Sequence, residues 1–171
     1  MAKTLMLLRH AKSSRENPEI ADFDRPLTRR GRRDAPRMGK RMRESGLEPD
    51  LVLCSDAKRA RETWTGLAET LKSAAPVLFE RGLYMANPKV LLNRLHRLAA
   101  NVGSVLVIGH NPGLEEVARA LADGKGEAFQ RLLQKFPTAA LARLDFDLED
   151  WRKLEPGSGR LSLFVTPAEL D

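Results

Sequence analysis

The chain has three histidines in 171 residues, and two of them stand where they could do chemistry. His10 follows Arg9 at the tip of the apolar run "TLMLL", and His110 follows the apolar run "SVLVIG". Arg59 falls in the first turn of a helical stretch after a further apolar run, "LVLC". Two arginines and two histidines without a nearby acid cluster suit a phosphoryl group. Guanidinium groups offer paired donors to phosphate oxygens and keep their charge. A neutral imidazole can attack phosphorus and carry it covalently, which splits one hard step into two. The cations then meet the charge on the equatorial oxygens. A metal centre is the competing reading of any histidine cluster. It is weak here, because no His, Asp or Glu pair stands at ligand spacing and two arginines would repel a cation. Neither a metal nor a cofactor is expected.

The elements that must position these groups are legible as apolar runs and helical periods. Residues 4–8, 51–54, 76–79 and 104–109 are continuous rather than alternating, as in strands buried on both faces. Each is followed by a helical pattern: Ala35, Met38 and Met42; Ala60, Trp64, Leu67 and Leu71; Leu91, Leu95 and Leu98; and "NPGLEEVARAL". Thr28 is expected to cap the first helix, and Ser55 or Asp56 the second. Pro36 either kinks the first helix or opens its regular part. Two tail segments, "LARLDFD" and "GRLSLFV", read as strands joined by a turn bearing Gly and Pro. The sum predicts an α/β three-layer sandwich, a mostly parallel central sheet flanked by helices and completed by the C-terminal strand pair. One domain over residues 1–171 is expected. In such sheets ligands bind at the carboxyl ends of the strands, which gathers Arg9, His10, Arg59 and His110 at one rim.

The bulk numbers exclude several classes. The chain is 42% hydrophobic and 30% charged, as an ordinary globular protein is. No apolar run approaches a signal-peptide core or a membrane span, so a cytoplasmic protein is expected, without a membrane partner. The single cysteine, Cys54, lies in "LVLC" and reads as a small core residue. The net charge of +6 comes from the first 46 residues, which hold 13 Lys/Arg against 6 Asp/Glu. The stretch 29–43 is either a solvated helix face or an attractor for an anionic substrate or protein. The lack of interleaved aromatics weighs against nucleic acid. A monomer is expected, with no apolar stripe left over.

The segments "LLRHAKS", "SDAKRARET" and "VIGHNPG" together resemble the histidine phosphatase superfamily, of phosphoglycerate mutase-like fold, and within it the SixA-type phosphohistidine phosphatases. The resemblance covers residues 4–122, with the three motifs in order and register. It implies a hydrolase in which His10 is the nucleophile that becomes phosphorylated. Arg9, Arg59 and His110 would hold the phosphoryl group, and Ser13 is a further candidate donor. Two departures matter. Ala11 stands where the family has glycine, and its β-carbon could crowd the pocket. Nor is there the long insertion that supplies larger members with a general acid; Glu80 is the candidate, with Asp22 and Asp24 weaker, as loop caps or partners of Arg25. Phosphate esters need such an acid to leave, whereas phosphohistidine leaves as neutral imidazole. The resemblance therefore favours a phosphohistidine-bearing protein as substrate and partner. The alternatives are a small-molecule or phosphoserine monoesterase, and a non-catalytic phosphoprotein-binding module.

Overall fold

The structure, a computed structural model, describes residues 2–170. Six strands form one mixed sheet. They are β1 (Ala2–Arg9), β2 (Leu51–Ser55), β3 (Val77–Glu80), β4 (Ser104–Gly109), β5 (Leu141–Asp147) and β6 (Arg160–Val165), in the spatial order β3-β2-β4-β1-β5-β6. The first four in that order are mutually parallel, and β5 runs antiparallel to both β1 and β6. This is the expected sandwich with its C-terminal pair completing the sheet beside β1.

The unbroken apolar runs arise because both faces of the sheet are covered. Leu5, Leu7, Val105 and Val107 point to one side, while Met6, Leu8, Leu106 and Ile108 point to the other. On the second side α1 (Arg29–Glu44) and α2 (Lys58–Leu71) bury Met38, Met42, Leu67 and Leu71. On the first side α3 (Pro88–His96), α4 (Gly113–Leu121) and α5 (Glu127–Gln134) bury Leu91, Leu95, Leu114, Val117 and Leu132. Cys54 is buried in the core, as expected.

One local expectation holds and others change. Thr28 caps α1 by accepting from Gly31 N, and α1 runs on through Pro36, which lies inside the helix. Neither Ser55 nor Asp56 caps α2. The N-cap is Ala57, with no side-chain cap, and the Ser55 hydroxyl is engaged elsewhere. The tail is more than a strand pair, because α5 precedes it. The basic helix is partly self-neutralised: buried Asp34 pairs with Arg37 at 2.9 Å, with Arg30 at 3.5 Å and with Arg33 at 3.6 Å. Among the described residues, no helix is long and apolar enough to cross a membrane.

Candidate active site

The site follows from one register. Arg9 pairs with Gly109 across β1 and β4, so the residues just beyond, His10 and His110, leave the sheet side by side. Their rings lie 5.2 Å apart between centroids. His10 N donates to Gly109 O at 3.0 Å, and the carbonyls of Arg9 and His10 accept from Ala139 N. The tail thus clamps the tip of β1. Arg59 projects from the first turn of α2, and its Nε donates to His10 Nε2 at 3.4 Å. Together they face a pocket of about 180 Å³, whose wall also includes Lys12, Ser13, Arg15, Asp22, Arg25, Met85, Asn111 and Thr138.

Burial sets the electrostatics. His10 is 6% exposed, His110 3% and Arg59 2%. Loss of solvent pushes the His10 imidazole down to about 3, with a smaller opposing contribution from its bond to Ala11 and further lowering by His110, Arg59 and Arg9. His110 is likewise pushed down to about 3, by burial first and then by Arg59. Both rings are therefore neutral at pH 7. Burial also lowers Arg9 from its usual value.

Hydrogen bonds choose the tautomers. His10 Nδ1 lies 2.7 Å from Ala11 O, a carbonyl that can only accept, so Nδ1 carries the proton. The Nε2 lone pair is left facing Arg59. His110 Nε2 lies 2.7 Å from Ser55 Oγ, which itself accepts from Ala57 N at 3.3 Å. Ser55 keeps its own proton to donate to Nε2, and in that arrangement Nδ1–H is the free donor of His110. That Nδ1 and the Nε of Arg9 are buried without a partner. Such orphans are costly, and an anion in the pocket would satisfy them.

Ala11 does not crowd the site. It is fully buried, packs with Leu27, Ala35 and Ala139, and is absent from the pocket wall. Its N donates to Thr63 Oγ1 at 2.9 Å, so the residue after the nucleophile candidate is tied to α2. Ser13 reaches the pocket, where its Oγ accepts from Arg25 at 2.7 Å. Glu80 is not brought to the pocket. Arg94 holds both its oxygens, at 2.8 and 2.9 Å. His96 is also remote from the pocket and is bonded to Leu154 O at 2.7 Å.

Asp22, weighed as a loop cap or a partner of Arg25, is both that partner and more. Its carboxylate accepts from Arg25 Nε at 3.0 Å, from Arg59 NH2 at 3.1 Å and from the Tyr84 hydroxyl. Its carbonyl accepts from Arg59 NH1 at 2.7 Å. The Tyr84 bond foremost, with the two arginines, holds Asp22 well below the usual carboxylate range. Arg25, Lys12, Arg15, Tyr84 and Asn111 escaped sequence reasoning as site residues. The one available signal was "DRPL", which puts an arginine three positions after Asp22.

A mixed sheet whose parallel strands present, at their carboxyl edge, two neutral histidines and buried arginines to a small cationic pocket defines a phosphoryl-handling α/β protein. The comparisons with known proteins narrow this class. Residues 5–84 match the sequence profile of the histidine phosphatase superfamily, branch 1. An uncharacterised protein of Mycobacterium tuberculosis is 39% identical over 163 residues, covering 94% of this chain and 99% of that one. The structure provisionally named phosphohistidine phosphatase SixA from Nakamurella multipartitia superposes with a TM-score of 0.85 at 28% identity, covering 98% of this chain and 97% of that one. The equivalently named structure from Agrobacterium tumefaciens gives 0.82 at 29% identity, covering 96% and 98%. The chain belongs to the histidine phosphatase superfamily and is of its SixA type.

Proposed function

We propose that this protein removes the phosphoryl group from phosphohistidine on another protein, through a covalent phosphohistidine at its own His10. His10 Nε2, unprotonated and facing Arg59 at the pocket wall, attacks phosphorus. The bond from phosphorus to the substrate ring breaks, and its electron pair leaves with that ring. Arg9, Arg59 and the Nδ1–H of His110 meet the equatorial oxygens, in a dry setting where each contact is strong. Water then attacks the phosphoryl group on His10, releasing inorganic phosphate and restoring the neutral ring.

The observation that carries this reading is the charge state of the pocket. Its one carboxylate among the described residues, Asp22, accepts three hydrogen bonds and stays ionised, and Glu80 is elsewhere. The site can hold and accept a phosphoryl group, but it has no carboxylic acid ready to protonate an alkoxide. Phosphohistidine needs none. The provisional names of the two SixA structures support the same substrate class.

The test offers a histidine-phosphorylated phosphotransfer domain and 4-nitrophenyl phosphate to the wild type and to His10→Ala. Loss of the acid-labile phosphate with the wild type only, and acid-labile label on the wild-type enzyme itself, is the expected result. Cleavage of the ester without loss of phosphohistidine would move the assignment to a monoesterase.

A further inference from the structure

We infer that Asp22 is a specificity-determining residue: its carboxylate receives the ring N–H of the departing imidazole and so selects phosphohistidine over phosphate esters. The inference rests on the phosphohistidine reading and deepens it.

The placement comes first. The Arg59 guanidinium stands between the two groups, with Nε turned to His10 and its outer nitrogens turned to Asp22. Asp22 thus lies one guanidinium away from the attacking nitrogen, and its half-exposed side chain, 45% accessible, is at the mouth of the pocket. His10 is at the floor, 6% exposed. In-line attack from the floor sends the leaving group towards the mouth. Met85 borders the same opening, and behind it the Tyr84 ring, bonded to Asp22, stands edge-on to His110 at 5.4 Å and edge-on to Phe23 at 4.9 Å.

The chemistry follows from the charges. Phosphohistidine is most labile when its second ring nitrogen is protonated, since the ring then departs as neutral imidazole. That protonated ring is cationic, and the pocket wall already carries Arg9, Lys12, Arg15, Arg25 and Arg59. A carboxylate at the mouth offsets this repulsion and accepts the ring N–H. The step balances without a proton from the enzyme. The P–N bond breaks, its pair goes to the nitrogen that bore phosphorus, and the other nitrogen keeps its hydrogen. An ester leaves with growing negative charge instead, and Asp22 repels that charge without protonating it. Tyr84 does not fill the gap, because its hydroxyl donates to Asp22 and is held less acidic than usual by that bond.

The experiment compares kcat/KM on a histidine-phosphorylated phosphotransfer domain and on 4-nitrophenyl phosphate for the wild type, Asp22→Asn and Asp22→Glu. The ratio of the two values is expected to fall about tenfold or more in Asp22→Asn, as loss of a charge-assisted hydrogen bond predicts. Asp22→Glu, which keeps the carboxylate, is expected to recover part of the ratio. The alkaline limb of kcat on phosphohistidine should move to lower pH in Asp22→Asn, because the bound ring loses the group that favours its protonated form. If both activities fall together and the ratio holds, Asp22 only positions Arg59 and the inference is overturned. A wild type that cleaves the ester but leaves phosphohistidine intact overturns the parent reading itself, and that result is visible before any variant is made.

Discussion

The two buried imidazoles make a stability prediction that depends on nothing about the substrate. His10 and His110 are held neutral in the folded protein down to about pH 3. In the unfolded chain each takes a proton near its ordinary value of about 6.5. Between these limits the unfolded state binds more protons, so stability falls as pH falls from about 6.5 towards 3 and is independent of these rings above 6.5. At pH 5 the gap below 6.5 is about 1.5 units, or about 2 kcal/mol per ring at 1.36 kcal/mol per unit. The contributions add to about 4 kcal/mol, because at pH 5 neither ring is protonated in the folded state and their mutual repulsion does not enter. That is a large share of the roughly 5–15 kcal/mol that holds a domain together. The assay is urea unfolding followed by circular dichroism at pH 7.5 and 5.0, for the wild type and for His10→Asn/His110→Asn. The double variant should lose about 4 kcal/mol less on acidification than the wild type. Carboxylates held low, such as Asp22 and Asp145, titrate below this window and do not confuse it. An equal loss in both proteins would refute the claim that burial keeps these rings neutral.

Two further outcomes test the site's surroundings. Ser55→Ala removes the 2.7 Å partner of His110 Nε2 and leaves a buried nitrogen unpaired. It should cost about 1–3 kcal/mol in unfolding free energy and loosen His110, lowering kcat/KM on 4-nitrophenyl phosphate; an unchanged unfolding curve would count against this role. Glu80→Gln weakens the ion pair with Arg94 at the C-terminal end of β3, outside the pocket wall, where the Arg94 and Glu80 side chains are 16% and 27% exposed. It should cost no more than about 1 kcal/mol and leave turnover within about twofold, and a tenfold loss would put Glu80 into the chemistry after all.

What could be seen in the sequence was whatever the sheet imposes locally. The four parallel strands were legible because burial on both faces leaves unbroken apolar runs, and strand polarity alone then puts His10, His110 and Arg59 at one edge. The register was not legible. Pairing of Arg9 with Gly109, which brings the two rings to 5.2 Å, is a relation between distant segments that no local pattern encodes. The same holds for the pocket wall. Arg25 and Asp22 are loop residues whose role depends on where the loop returns, against Arg59 and Tyr84. Helix α5 was missed although Phe129, Leu132, Leu133 and Phe136 have helical spacing, because the segment is short and begins after a glycine-rich turn without a side-chain cap. Ser55 was misjudged as a cap candidate because a serine before a helix looks alike whether its hydroxyl turns to the backbone or to a histidine.

On the proposed mechanism, the low pKa of His10 bears on why the attacking ring is buried at all. A free imidazole is already about three-quarters neutral at pH 7, so lowering its value to about 3 enlarges the reactive fraction by less than half. That gain is too small to balance a stability cost of about 2 kcal/mol per ring at pH 5. On that reading the benefit lies in the two proposed chemical steps. In the first, the water-poor setting that depresses the ring also strengthens the pull of Arg9 and Arg59 on the phosphoryl oxygens. In the second, a less basic ring is a better leaving group when water attacks phosphorus on His10. Burial therefore weakens His10 as a base while aiding both formation and breakdown of the same bond, and the bond from Nδ1 to Ala11 O keeps the ring turned so that the same nitrogen serves in both.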